Sequence, residues 1–206
     1  MDSNVTSHWN EVYNSKPPDT VSWFQLRPEL SLRLIADYAP DKNSWIIDVG
    51  GGASTLVDAL IEVRYRNLAV VDIAKTALGL SKARLGSAGN DVDWIVTDIT
   101  TLDLAPASID LWHDRAVFHF LTIAADRDAY VARLASSVIS GGHTVIATFA
   151  LDGPERCSGL DTVRYDEASL AAEIGTAFEL VKTEYETHRT PFGTDQKFIY
   201  CVFRRS

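Results

Sequence analysis

The feature that most constrains this chain is an alternation of short apolar runs with helical stretches between residues 44 and 149. Residues 44–49, 67–72, 92–97, 108–113 and 143–149 read as strands. Residues 55–63, 75–85 and 127–139 read as helices, the last ending at Gly141-Gly142. Strands separated by helices make βαβ units, and continuous apolar strands belong in a parallel sheet covered on both faces. The pattern breaks near the end: a helix at 166–174 precedes two strands, 178–185 and 197–203, joined by a loop with Pro191 and Gly193. Two strands with no helix between them suggest an antiparallel pair. The expectation is an α/β, doubly wound, mostly parallel seven-stranded sheet with an antiparallel C-terminal pair.

Before this region lie a short amphipathic start at 8–13, a loop at Pro17-Pro18, and a helix opened by Pro28-Glu29 and closed by Pro40. Proline suits a first helical turn. One domain over 1–206 is expected, with 1–27 as an N-terminal lid segment. At 206 residues such a domain buries roughly 70% of its unfolded surface and folds without staples. Lys and Arg total 19 against 28 Asp and Glu, a net charge of -9. That balance argues against nucleic acid or an anionic membrane surface as partner. Cys157 and Cys201 are the two cysteines, too few for a disulfide framework or a CxxC metal site. The first ten residues lack a basic start and an apolar run, so no signal peptide is expected. No apolar run approaches the roughly 18 residues of a membrane span. A reducing, cytoplasmic location and no metal are the expectations.

In an open α/β sheet, ligands bind at the carboxyl ends of the strands, where strand order reverses. The first strand ends in Asp48-Val49-Gly50-Gly51-Gly52. Glycines let the backbone turn sharply and let a ligand approach it, although a plain βα turn explains them too. The second strand ends at Asp72, 20 residues after Gly52, where a carboxylate takes both hydroxyls of a ribose. Asp98, at the third strand's end, is placed to meet an adenine amino group or simply to start a turn at Thr100-Thr101. A dinucleotide fingerprint needs a further glycine where this chain has Thr55. A buried carboxylate at Asp48 suits an ammonium better than a pyrophosphate. S-adenosylmethionine carries a ribose, an adenine and an amino-acid tail with an ammonium.

These residues, with the antiparallel last pair, resemble a class I S-adenosylmethionine-dependent methyltransferase over residues 40–206. The glycine run lacks the commoner Cys or Thr between its outer glycines. A narrower similarity links residues 8–13, 21–25, 109–116 and 126–130 to the thiopurine S-methyltransferase and tellurite-resistance methyltransferase group. That group has Trp-Asp-Arg-Gly-Ala after the fourth strand; here His113 replaces the Trp and Ala116 the Gly. Glu186 to Arg189 is similar to its substrate loop. The resemblance implies a Rossmann-like methyltransferase fold with S-adenosylmethionine held by Trp9, Trp23, Asp48, Gly50, Gly51, Gly52, Asp72, Ile73, Asp98, Ile99 and His113. It implies Asp114 and Arg115 as catalytic residues, Arg115 touching the acceptor and Asp114 holding the site in place. Phe24, Cys157, His188 and Arg189 are the further acceptor-side candidates. Each has a plainer reading: packing for the aromatics and Cys157, an internal pair for Asp114 and Arg115, solvated charge for His188 and Arg189. His119 is expected to be structural, and His143 to lie at the surface.

The implied activity is methyl transfer to a small acceptor, with S, Se or Te as the nucleophile. A protein (lysine) N-methyltransferase, an NAD-binding oxidoreductase and a non-catalytic nucleoside-binding module stand as alternatives. Thr55 counts against the oxidoreductase.

Overall fold

The computed structural model describes residues 3–206; residues 1 and 2 of the expected lid segment lie outside it. Five parallel strands form one side of the sheet: β1 (Trp45–Val49), β2 (Asn67–Asp72), β3 (Val92–Val96), β4 (Ile109–Arg115) and β5 (Val138–Phe149). A hairpin, β6 (Arg156–Cys157) and β7 (Leu160–Asp161), follows β5. The last strands, β8 (Phe178–Arg189) and β9 (Asp195–Arg205), complete a seven-stranded sheet of order β3-β2-β1-β4-β5-β9-β8. β9 runs antiparallel to both β5 and β8. This is the expected Rossmann-like fold.

The helices are α1 (Ser3–Ser15), α2 (Glu29–Tyr38), α3 (Leu56–Glu62), α4 (Lys75–Leu85), α5 (Ala124–Ser137) and α6 (Glu167–Ile174). Alternate strand residues face opposite layers. Ile46, Leu68, Val70, Leu111 and Val145 pack with α2 and α3 residues Leu34, Ile35, Leu56 and Leu60. Ile47, Val49, Val71, Trp112 and Ile146 pack with Tyr130 and Leu134 of α5 and Leu170 of α6. Doubly covered strands explain the unbroken apolar runs. The chain leaves β1 toward β2 and β3, then returns to β4 on the other side of β1. The reversal places a crevice at the carboxyl ends of β1 and β4.

Two boundaries differ from the sequence reading. Helix α5 stops at Ser137, and β5 starts at once and runs through Gly141-Gly142. The glycines mark an irregular strand, with a register shift opposite Ile109 and Leu111, rather than a helix end. A Cβ on Gly142 would sit 2.9 Å from the Asp110 carbonyl oxygen. The loop after β8 is shorter than expected, because the paired strands extend to Arg189 and Asp195.

Candidate active site

The corner after β1 is built by sterics. Gly50 has φ +67, and a Cβ there would collide with Val117. A Cβ on Gly51 would run into the Asp48 carboxylate, and one on Gly52 would lie 2.6 Å from Asp72 Oδ2. Three glycines therefore bring two carboxylates against bare backbone. The Gly50 N–H donates to the Val71 carbonyl (2.7 Å). Asp72 accepts from the Ala74 N–H (2.7 Å), and burial pushes its carboxyl up to about 7. Asp48 Oδ1 pairs with His113 Nδ1 (2.7 Å), while Asp48 Oδ2 is buried with no partner. Asp98 accepts from the Thr100 N–H (2.9 Å) and hydroxyl (2.8 Å), the turn considered above.

A cavity of about 390 Å³ opens from this corner, a size that suits a small ligand, for which roughly 300–1,000 Å³ is usual. One end is lined by Asp72, Ile73, Asp98 and Ile99, the other by Arg115, Phe149, Cys157 and Phe198. Helix α1 places Val5, Trp9 and Tyr13 along it. Trp9 meets Trp23 and Phe120 edge-on, with ring centroids 5.7 and 5.1 Å apart, an arrangement aromatic rings favour. A second cavity, about 50 Å³, shares Tyr13, Trp23, Gly50 and Arg115 and adds Phe24, Ser31, Asp48, Gly51 and His113. The structure thus gathers most of the expected residues around two adjoining spaces. Gly52 lines neither; its carbonyl accepts from Ser81 Oγ (2.7 Å). Tyr13, Phe120, Phe198 and Tyr200 join the site without having been singled out. Phe198 and Tyr200 alternate along β9, a period-2 signal that puts both on one face.

Three of the expected residues lie away from the two cavities. Asp114, expected in the catalytic pair as the residue that holds the site in place, is fully buried. Its carboxylate accepts from the Val117 N–H (2.9 Å), the Phe118 N–H (3.1 Å) and the Tyr130 hydroxyl (2.8 Å). Burial pushes it up to about 6. It holds the loop after β4 and lines neither cavity. His188 and Arg189 were expected to rim the acceptor pocket, but β8 carries both through a strand. Arg189 is exposed and pairs with Asp195 (2.9 Å). His188 Nε2 bonds the Ser22 carbonyl (2.8 Å). Both border a separate surface groove with Phe24.

Arg115 has different surroundings. Its side chain is only 10% exposed and lies over the Phe198 ring at 4.4 Å. Nε donates to Tyr200 Oη (2.9 Å) and Nη1 to the Trp23 carbonyl (3.1 Å). Nη2 makes no hydrogen bond and stands 3.6 Å from Glu186 Oε2. His119 is buried as expected, with Nδ1 accepting from the Phe149 N–H (3.3 Å), and burial lowers it to about 3. His143 is half-buried against Tyr38, ring centroids 5.0 Å apart. Burial raises the Cys157 thiol. Among the described residues, no group of His, Cys, Asp and Glu is arranged to hold a metal, and no helix is long and apolar enough to cross a membrane.

Residues 47–146 match a family model described as a methyltransferase domain. No curated protein matches. Several solved structures share the fold. One, with TM-score 0.77 and 16% identity over 98% of this chain and 93% of that one, concerns the conversion of a disulfide bond into a thioacetal group during echinomycin biosynthesis. A second is the Burkholderia thailandensis 1,6-didemethyltoxoflavin-N1-methyltransferase, bound to 1,6-didemethyltoxoflavin and S-adenosylhomocysteine. It has TM-score 0.72 and 18% identity over 98% and 87% of the two chains. A third is the N-methyltransferase NodS from Bradyrhizobium japonicum WM9 with S-adenosyl-L-homocysteine, TM-score 0.71 and 17% identity over 99% of each chain.

Proposed function

With an S-adenosylmethionine-dependent methyltransferase domain at residues 47–146 as the premise, we propose that this chain methylates a small-molecule acceptor. Its reacting atom is a soft, ionised nucleophile of the S, Se or Te kind. The observation that carries this is Arg115. A guanidinium stands at an aromatic end of the cavity, its buried Nη2 without a hydrogen bond and with only the longer ion pair to Glu186 Oε2 (3.6 Å), and such a group can hold an anion. An amine acceptor would need a base to make it neutral. The nearby imidazoles are poor ones: His119 is lowered to about 3, and His188 Nε2 is bonded to Ser22. Asp161, at the outer rim, is exposed and paired with Arg156 (2.9 Å). The similarity to the thiopurine and tellurite-resistance group supports the same reading. So do structural neighbours whose descriptions concern small molecules.

The residues fit the cofactor. Asp72 takes the ribose hydroxyls, Asp98 and Ile99 border the base, and the orphaned Asp48 Oδ2 faces the ammonium. The glycine corner admits the ligand where a Cβ would block it. S-adenosylmethionine supplies an electrophilic methyl group on a sulfonium. The chain's part is alignment and exclusion of water. Trp9, Trp23 and Phe120 close the cavity as a lid, Arg115 keeps the acceptor anionic and oriented, and Cys157 offers a neutral, polarisable wall.

A turnover screen with thiols, selenite or tellurite, amines and basic peptides tests the proposal. A thiol or chalcogen acceptor is expected to turn over. Arg115→Ala is expected to lower its kcat/KM about 100-fold, from about 1.5–3 kcal/mol for a bond to a charged group. Turnover of amines or basic peptides alone would overturn it and favour the N-methyltransferase reading.

Cofactor binding should also depend on pH. Hydroxyls donate to the ionised Asp72, whose carboxyl titrates near 7 when the site is empty. Affinity for S-adenosylhomocysteine is expected to fall toward tenfold per pH unit below about 7 and to be flat above it. Calorimetry between pH 5.5 and 8.5 checks this; a level profile would remove Asp72 from the ribose site.

A further inference from the structure

Arg115 reaches its partners across the sheet. The strand registers set Arg115 on β4 beside Ala147 on β5, and Ala147 beside Tyr200 on β9. The next register sets Glu186 on β8 beside Phe198, whose ring lies under the guanidinium at 4.4 Å. With only the Ala147 methyl between them, Arg115 Nε spans β5 and donates to Tyr200 Oη (2.9 Å). The Tyr200 hydroxyl donates in turn to Glu186 Oε2 (3.1 Å), and Gln25 Nε2 donates to Glu186 Oε1 (3.0 Å). Both carboxylate oxygens are therefore engaged. Glu186 Oε2 stops 3.6 Å from Arg115 Nη2, beyond hydrogen-bond reach, and Nη2 makes no hydrogen bond.

A guanidinium and a carboxylate so far removed from water usually close into direct, charge-assisted bonds. Here Tyr200 and Gln25 hold the pair open. The carboxylate is near enough to offset the guanidinium charge, because Coulomb attraction in a protein falls off slowly at such range. It is too far away to occupy Nη2, which stays available to an acceptor. Arg115 and Glu186 together carry no net charge. In the proposed reaction the donor sulfonium brings one positive charge to the reacting centre. One negative charge on the acceptor balances that; a second would meet the Glu186 carboxylate.

We propose that Glu186, held off by Tyr200 and Gln25, is a specificity-determining residue that restricts the acceptor to a single negative charge. It lines neither cavity and acts through Arg115, as a positioning residue. The inference rests on the acceptor reading above and adds a charge class to it. Glu186→Gln isolates the charge, because the new amide keeps both contacts. Its oxygen accepts from Tyr200, and its amino group donates to Gln25 Oε1, which has no partner in the parent.

The test is calorimetry of two thiols, benzenethiol and 4-mercaptobenzoate, with S-adenosylhomocysteine bound, followed by their methylation rates. Ionised, the first carries one charge and the second two. Glu186→Gln is expected to tighten both, and the doubly charged thiol about tenfold more, the order of one like-charge contact at this range. Reading the change in the ratio cancels differences in fit. For benzenethiol, kcat should fall together with KM, because a freed Arg115 holds the charged ground state more than a transition state in which that charge is being spent. Gln25→Ala, which lets Glu186 close on Nη2, should instead weaken both thiols about threefold, as a modest ion pair would. It carries the test if Glu186→Gln folds poorly. An unchanged ratio in Glu186→Gln, or tighter binding in Gln25→Ala, by proteins that methylate benzenethiol would overturn this inference alone. A wild type that binds S-adenosylhomocysteine but methylates neither thiol would overturn the acceptor reading, and this inference with it.

Discussion

Asp72→Asn is expected to weaken S-adenosylhomocysteine binding about 100-fold while making the unliganded protein more stable at pH 8. The opposite signs come from one cause. Asp72 is buried beside Asp48, and burial raises its carboxyl from 3.8 to about 7. A carboxyl raised on folding favours the fold only while protonated. The penalty grows as pH climbs from about 4 to about 7 and levels off above. At about 1.36 kcal/mol per pH unit, removing the charge should return about 2–4 kcal/mol at pH 8. Asparagine keeps an oxygen for the Ala74 N–H (2.7 Å in the parent). It lacks the charge that makes two ribose bonds strong, worth about 1.5–3 kcal/mol each. Urea unfolding at pH 5 and pH 8, paired with calorimetry, checks both halves. A variant that is less stable and binds as tightly would contradict the assignment.

Asp114→Ala is expected to cost about 3–5 kcal/mol of stability. It strands the Val117 and Phe118 N–H groups and the Tyr130 hydroxyl in the core. Each unsatisfied group costs about 1–3 kcal/mol. For a chain of this size about 2–4 °C accompanies each kcal/mol, so the melting temperature should fall by about 10 °C. Turnover should fall too, because Arg115 follows directly on the displaced loop. Asp114→Asn keeps acceptor capacity and should lose less. An alanine variant with parental melting temperature would show that the carboxylate is not the anchor.

Different parts of this molecule were legible to different degrees. The parallel half of the sheet declared itself, because doubly buried strands such as 46–49 and 68–72 leave long apolar runs. The glycine corner, Asp72 and Asp98 were readable because a strand tip and a fixed spacing place them. The start of β5 was not: Gly141-Gly142 looks like a helix stop, yet it carries an irregular strand. β8 misled for another reason. As an edge strand it bears polar residues at 186–189, so its last residues read as loop where His188 and Arg189 lie in the strand. The β6–β7 hairpin was readable in principle, since Ser158 (φ +50) and Gly159 (φ +82) form a two-residue turn. The buried bonds of His113 to Asp48 and to Ser31 were beyond reading. His113 lies 65 residues from Asp48 and 82 from Ser31, and only the strand order brings them together.

Calorimetric titration of the purified protein with S-adenosylhomocysteine and, separately, with NAD bears most directly on the Asp48–Asp72 corner. One-site binding of S-adenosylhomocysteine, abolished or reduced about 100-fold in Asp72→Asn, with no heat from NAD, is the expected result. Saturable NAD binding with no response to S-adenosylhomocysteine would contradict it.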